Sequence, residues 1–201
     1  MASIFGHAAG ALIAWEGGRQ LPGDWVPRRA RWHIVPVVIA ALPDLDVFPP
    51  MLLGRSAMGY HRGASHSVLV ALAIAGCATL AVKACGCRAQ RRRLFLVLAA
   101  CALVHPLLDY LMGCGPPVPF LWPFTRRGWL SPVQLIPTAY YPLNPSGIAW
   151  VLGSPRTWAG VGLEAASLGP LWLAVRARGI PRWLWGAASA GGFVATFLLY
   201  R

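Results

Sequence analysis

Long apolar runs alternate with short arginine-rich segments along most of this 201-residue chain. Hydrophobic residues make up 57% of the sequence and charged residues only 12%, which is too apolar for an ordinary soluble domain and typical of a protein that crosses a membrane several times. The net charge of +12 would indicate nucleic acid in a soluble protein. Here the basic residues lie between the apolar runs, so the predicted partners are membrane lipids with anionic head groups, and no nucleic acid is expected.

The apolar runs predict an all-α helical bundle that forms one membrane-embedded domain over residues 1–201. Four runs are long enough for firm transmembrane helices, and two near the N-terminus are short and predict partial or tilted spans. Gly17 and Gly18 are expected to end the first helix, and the prolines and glycines of 43–64 are expected to keep that segment irregular. The short runs are 2–16 and 32–42, and the long runs are 66–82, 94–112, 158–175 and 183–200.

Residues 113–156 differ from the rest of the chain because they hold nine of its eighteen prolines together with many aromatic residues. Aromatic side chains prefer the membrane–water interface, and prolines keep a segment out of regular helix. The composition therefore predicts a rigid interfacial cap over the bundle.

The basic residues predict the orientation in the membrane. Segments 17–31, 83–93 and 176–182 hold twelve of the eighteen Lys and Arg residues, so the positive-inside tendency places them on the cytoplasmic side of the inner membrane. This orientation uses no acid or histidine, yet it brings nearly all of the candidate ligands below to the opposite, extracytoplasmic end.

Many of the residue types that bind metals lie in segment 43–66. The chain has six acids and five histidines, and this segment holds two of each. His105 and Asp109 are four residues apart in an apolar run, so both side chains point from one helix face. Such groups ligate zinc and are rare in lipid-embedded helices, which predicts a metal site. The alternative for His105 and Asp109 is a buried pair that only holds helices together. The four residues of 43–66 are Asp44, Asp46, His61 and His66.

Two further candidates, His7 and Glu164, are predicted at the same depth as His105. Glu164 is the only acid in its apolar run, where an unpaired carboxylate costs several kcal/mol, so it is expected to be protonated, paired or bound to metal. Ser65 is predicted to cap the next helix, with His66 in its first turn. The remaining groups are interpreted as a structural histidine and ordinary loop charges: His33, Glu16 and Asp24.

Three motifs carry a resemblance to a known family: LPDLD at 42–46, HRGASHS at 61–67 and HPLLD at 105–109. Over residues 1–130 the chain resembles the YdjM-like family of LexA-regulated, membrane-bound metal-dependent hydrolases. The resemblance implies a membrane relative of the zinc-dependent phospholipases C and nucleases that share one helical fold. It also implies that Asp46 is a ligand or a base. The metal ligands that it implies are His7, Asp44, His61, His66, His105 and Asp109.

These observations predict a metal-dependent hydrolase that cleaves a phosphoester of a lipid, or of another membrane-associated substrate, with metal-activated water. Zinc suits the mixed ligands, two or more ions can be held, and manganese or iron would fit if more oxygens bind. Arg62 is predicted to be catalytic by holding phosphate oxygens, and Arg126 and Arg127 either share that task or only anchor the interface. The alternatives are a metal-ion transporter and a structural membrane protein stapled by metal.

Overall fold

The computed structural model describes residues 3–23, 25–27, 29–57, 60–136, 152–176 and 181–199. Within these residues the regular structure is helical and no β-strand is present, which confirms the all-α prediction; Val118 and Trp129 form an isolated bridge. Short 3₁₀ turns cover Ala30–His33, Pro43–Val47 and Ala64–His66. The α-helices are α1 (Ile4–Gln20), α2 (Ile34–Ala41), α3 (Phe48–Leu52), α4 (Val68–Ala84), α5 (Arg91–Leu111), α6 (Pro155–Arg176) and α7 (Arg182–Leu199).

Among the described residues, α5 and α6 are long and apolar enough to cross a membrane. The segments Ala30–Ala41 and Pro43–Leu52 meet at a bend of 43° and provide a third span if they are counted as one. Helix α4 is apolar but has only 17 residues. Two or three spans are thus supported, and the predicted number of four firm spans is not confirmed.

Two predicted helix boundaries are wrong, because glycine and proline do not always end a helix. Helix α1 continues through Gly17 and Gly18 to Gln20. A Cβ atom at Gly18 would lie 2.6 Å from a methyl group of Val97, so this glycine allows α1 and α5 to approach closely. Segment 43–52 is helical despite its prolines, because proline is well tolerated in the first turn of a helix.

Helix α1 packs against α2, α5 and α6, while α4 packs on α5 and α7 packs on α6. His7, near the start of α1, contacts Asp109 near the end of α5, whereas Gly18 contacts Val97 at the other end of both helices. The two helices are therefore antiparallel. The starts of α1 and α4 and the ends of α2 and α5 meet at one end of the bundle, which is where the candidate ligands lie.

Of the predicted cap, 113–156, the structure describes residues 113–136 and 152–156, and the last two of these already belong to α6. The backbone N–H of Val68 donates to the carbonyl of Phe120, which ties segment 113–136 to the start of α4. The Phe120 ring packs edge-on against Tyr110 at 5.8 Å and lies 6.2 Å from Trp129. The rest of the cap, including Tyr140, Tyr141 and Trp150, lies outside the described residues up to 151, and α6 begins at Pro155.

The contact between α6 and α7 depends on a glycine. A Cβ atom at Gly192 would lie 2.6 Å from the backbone oxygen of Ala166, whereas the neighbouring Gly191 has no atom within 4 Å of that position. We expect Gly192→Ala to lower the free energy of unfolding by about 1–3 kcal/mol, as overpacking does. Gly191→Ala is the matched control, with no loss and up to about 1 kcal/mol gained from helix propensity. Denaturant unfolding in detergent measures both, and equal losses would contradict the close helix approach.

Candidate metal centre

The structure gathers seven of the predicted site residues, here called the His/Asp cluster, at one end of the bundle. Helix α1 supplies His7, the 3₁₀ turn after α2 supplies Asp44 and Asp46, and α5 supplies His105 and Asp109. His61 and His66 come from the segment before α4.

The local structure around His66 differs from the prediction. A 3₁₀ turn, Ala64–His66, precedes α4, and Ser67 is the residue that caps this helix by accepting from the Val70 N–H at 3.2 Å. The expectation that Ser65 caps the helix with His66 in its first turn is therefore wrong. The Ser65 hydroxyl instead donates to Asp46 Oδ2 at 2.6 Å.

Six of the seven members, all except Asp46, are close enough to share metal ions. Two overlapping groups each offer ligand atoms that all lie within 4.8 Å of one another. Asp109 belongs to both, so its carboxylate can bridge two ions. The first group is Asp44, His61, His66 and Asp109, and the second is His7, His105 and Asp109.

His105 and His66 each use Nδ1 for a contact outside the cluster, so Nε2 of each ring faces into the cluster. His105 Nδ1 lies 2.6 Å from the Ala40 carbonyl, which only accepts, so Nδ1 carries the proton. His66 Nδ1 lies 2.9 Å from the Ser65 hydroxyl, which has already given its proton to Asp46. When both rings are neutral, as metal ligation requires, their Nε2 atoms are both acceptors, although they are only 3.1 Å apart.

Carboxylate oxygens complete a set of acceptors without donors. Asp109 Oδ2 is 3.2 Å from His66 Nε2, and Asp44 Oδ1 is 3.4 Å from His105 Nε2. Both oxygens of Asp44 are buried and accept no hydrogen bond. Buried acceptors that face each other repel unless a proton or a metal ion lies between them, and the mixed imidazole and carboxylate atoms suit a divalent metal.

The charge state of His66 agrees with a centre that attracts cations. Burial disfavours the imidazolium form, but the contacts with three carboxylates, first that of Asp109, raise the pKa of His66 well above its ordinary value. A proton or a metal ion thus occupies the same electrostatic minimum, and metal binding would displace the proton.

His61 and His7 differ in their surroundings. His61 Nδ1 lies 2.9 Å from Asp46 Oδ1, so Nε2 is the nitrogen suited to ligation. His7 stacks on the His105 ring at a centroid distance of 3.7 Å, and both of its nitrogens are buried without a hydrogen bond. His7 Nε2 is 3.6 Å from Asp109 Oδ1.

Arg62 is buried and its guanidinium faces the protein interior. It donates to Asp109 Oδ1 at 3.0 Å and to the carbonyl oxygens of Cys114 and Pro116 at 2.8 and 2.9 Å. The predicted role of Arg62 in holding substrate phosphate does not fit this placement, because these donors are used inside the protein. Arg62 positions Asp109 instead.

The structure pairs Glu164 with Ser3, the N-cap residue of α1. Its carboxylate accepts from the Ser3 backbone N–H at 2.6 Å and from the Ser3 hydroxyl. Of the three fates predicted for Glu164, pairing is therefore the one observed, and neither group of potential ligands includes it.

The residues predicted to lie outside the site have ordinary partners where they are described. Glu16 is buried within α1, not in a loop as predicted, and accepts from Arg19 at 3.0 Å while it contacts His33 Nε2 at 2.6 Å. His33 is thus a structural histidine at the opposite end of the bundle, as predicted. Asp24 lies outside the described residues.

Sequence reasoning missed the outer partners of the ligands. Ser65 was available as a signal, since a hydroxyl next to a histidine can orient its ring, but its position before an apolar run favoured a capping role. The Ala40 carbonyl that fixes His105 carries no sequence signal at all, because any residue supplies a backbone oxygen.

Asp46, predicted as a ligand or a base, belongs to neither group of potential ligands and contacts His61 and Ser65, so its removal tests the support of the centre. We expect Asp46→Asn to weaken zinc affinity by about 10–100-fold, the usual loss when an outer partner of a metal ligand is removed. Competition with a chromophoric zinc chelator measures the affinity. Glu16→Gln removes one carboxylate at the other end of the bundle and should leave the affinity unchanged. Equal affinity in the two variants would show that Asp46 does not support the centre.

Comparison with known proteins agrees with the membrane character of the fold. The family model described as "YdjM inner membrane protein" matches residues 1–198. The Escherichia coli K12 protein named "Inner membrane protein YbcI" is 29% identical over 149 residues, which cover 72% of this chain and 80% of that protein. No solved structure gives a significant match. By the match over nearly its whole length, and with a buried His/Asp cluster able to hold metal, the chain belongs to the YdjM inner membrane protein family.

Proposed function

We propose that the protein is a membrane-embedded, metal-dependent hydrolase that cleaves a phosphoester of a lipid. The observation that carries the proposal is the convergence of imidazole Nε2 atoms and carboxylate oxygens in one buried cluster, with Ser65 and the Ala40 carbonyl holding the two rings from their outer sides. This is a preorganised site for cations.

The donor set supports zinc and a pair of ions. Mixed histidine and carboxylate ligands suit zinc, and a carboxylate shared by two ligand groups is the arrangement expected for a two-metal site. Such ions supply an activated water and polarise a phosphoryl oxygen. The chain itself orients the imidazoles through Asp46 and Ser65 and holds the shared carboxylate of Asp109 through Arg62.

The surroundings of the cluster favour a substrate that lies in the membrane. Asp46 is the most exposed member, with 14% of its side chain accessible, so access is expected beside it. Helix α3 follows directly, and Leu52 at its end and Leu53 just after it are 85% and 72% exposed. Phe124 on the cap is 85% exposed. Apolar side chains of this kind can contact acyl chains while the head group reaches the cluster.

Two features support further details of the proposal. The exposed Arg127 lies on the cap with its guanidinium 5.9 Å above the Trp129 ring, and with Arg126 it is better placed than Arg62 to meet a lipid phosphate. The arginine-rich connections at the other end favour an extracytoplasmic location for the cluster.

The near-complete burial of the ligands favours a second candidate function, a structural protein stapled by metal. His66, His105 and Asp109 have no accessible side-chain surface. A metal closed off in this way can stabilise the bundle without reaching a substrate. A transporter is less well supported, since the described ligands gather at one end and do not continue through the bundle.

Turnover of a defined lipid by the purified full-length protein separates these functions. We expect hydrolysis of short-chain phosphatidic acid or phosphatidylcholine that is lost on chelation and restored by zinc. His105→Ala should reduce turnover by at least about 100-fold, because outer partners of metal ligands alone contribute 10–100-fold. His33→Gln, which changes a histidine outside the cluster, should retain it.

The structural alternative predicts a different result. Metal would bind stoichiometrically and its removal would lower the melting temperature, but no phosphate or phosphorylated head group would be released from any lipid. Full turnover by a correctly folded His105→Ala variant would reject the hydrolytic role of the cluster.

A further inference from the structure

We propose that an arginine-lined cavity at the end of the bundle opposite the His/Asp cluster binds a phosphate group, that of an anionic phospholipid. The cavity has a volume of about 610 Å³, within the range of ligand sites in proteins. Residues 26, 27, 29, 31 and 32 line one side and residues 86–89 line the other. This inference does not depend on the proposed hydrolase.

The cavity and the cluster are separate. Ala89 lines the cavity just before α5 begins, and Asp109 lies near the end of the same helix. At the usual helical rise these residues are about 30 Å apart. A ligand in the cavity therefore cannot contact the metal ligands.

The cavity has an apolar floor and a basic rim. Val26, Cys87 and Ala89 are buried beneath it. Its rim carries three exposed arginines, and among the described residues none of them pairs with a carboxylate. Guanidinium groups bind phosphate oxygens through two parallel hydrogen bonds, so this rim suits a phosphate better than any neutral ligand. The three arginines are Arg29, Arg31 and Arg88.

Both walls of the cavity are fixed in place. Lys83 Nζ donates to the carbonyl oxygens of Cys87 and Ala89 at 2.7 and 2.9 Å, which holds the loop that carries Arg88. On the other side, Trp25 directly precedes the lining residue Val26, and the guanidinium of Arg93 lies 5.2 Å above the Trp25 ring. The ammonium group of Lys83 is thus used to hold the loop, and the guanidinium groups on the rim are the charges available to a ligand.

A second cavity at the same end favours a lipid over a soluble phosphate. It has a volume of about 530 Å³, lies between α4 and α5, and is lined in part by Gly76, Leu80 and Phe95 beside Arg91 and Arg92. An apolar surface next to arginines offers space for an acyl chain. The positive-inside tendency also places this end at the cytoplasmic leaflet, where anionic lipids give a negative surface potential.

Native mass spectrometry of the full-length protein in detergent tests the site. We expect phosphatidylglycerol to bind at least about tenfold more tightly than phosphatidylcholine, because the arginines repel the trimethylammonium group that phosphatidylcholine carries beside the same phosphate, and a tenfold change needs only about 1.4 kcal/mol. The triple variant Arg29→Gln/Arg31→Gln/Arg88→Gln should lose this preference. The matched control, Arg55→Gln/Arg156→Gln/Arg182→Gln, removes the same charge from exposed arginines outside the cavity and should keep it.

Two further measurements identify the source of the phosphate and show whether the variants are correctly folded. Glycerol 3-phosphate that displaces no phosphatidylglycerol supports the lipid, whereas tight binding of glycerol 3-phosphate or inorganic phosphate alone, without lipid preference, overturns it. Zinc content of both triple variants should equal that of the unaltered protein, since the cluster is remote. Unchanged phosphatidylglycerol binding by the cavity variant, or equal losses in the two triple variants, would overturn the site.

Discussion

Asp109→Asn is expected to abolish metal binding at both ion positions, whereas His7→Ala and His61→Ala each remove one. Asp109 is the residue shared by the two ligand groups, while His7 belongs to only one group and His61 to the other. An amide oxygen is a much weaker ligand than a carboxylate, so the bridging position is lost. Metal analysis of the desalted proteins should give about two zinc ions per chain for the unaltered protein, about one for each histidine variant and none for Asp109→Asn.

The pattern across the three variants separates a two-metal centre from a single ion. If one ion is bound by all the ligands together, His7→Ala and His61→Ala should each lose the whole of the metal. If Asp109 is only a buried partner of Arg62, its amide variant should keep both ions. His33→Gln is the control for histidine replacement at the other end of the bundle, and far-ultraviolet circular dichroism shows that each variant retains its helices.

The part of the centre that could be predicted from sequence is the part encoded by helical geometry. His105 and Asp109 are one turn apart on α5, and the distribution of arginines predicts the direction of that helix in the membrane. The same two rules bring His7 on α1 to the same end. These relations depend on periodicity and charge, which a single sequence contains.

The contacts that could not be predicted depend on backbone conformation or on distant pairing. Arg62 has a φ of 58°, a left-handed conformation that turns its side chain inward. A glycine at this position would have predicted that conformation, whereas an arginine does not. Ser3 and Glu164 are 161 residues apart, so nothing local links them. Gly18 resembles a helix terminator in sequence but serves as a contact surface.

Arg62→Met is expected to lower the free energy of unfolding of the metal-free protein by about 3–5 kcal/mol, the cost of leaving one member of a buried ion pair alone. Arg62 is 3% exposed and its donors serve Asp109 and the carbonyl oxygens of Cys114 and Pro116. Methionine fills similar volume but offers no donor, so the buried carboxylate loses its counter-charge. Denaturant unfolding in detergent, followed by tryptophan fluorescence, measures the change.

The size of this loss should depend on metal, which distinguishes a positioning role for Arg62 from simple packing. A bound divalent ion also compensates the Asp109 carboxylate, so Arg62→Met should cost less in zinc-loaded protein than after chelation. Arg62→Lys keeps the charge but not the forked donors, and an intermediate loss is expected. The double variant Arg62→Met/Asp109→Asn should lose less than the sum of the single variants, because each single change leaves the partner buried and unpaired. Additive losses that are equal with and without zinc would show that the ion pair does not support the metal centre.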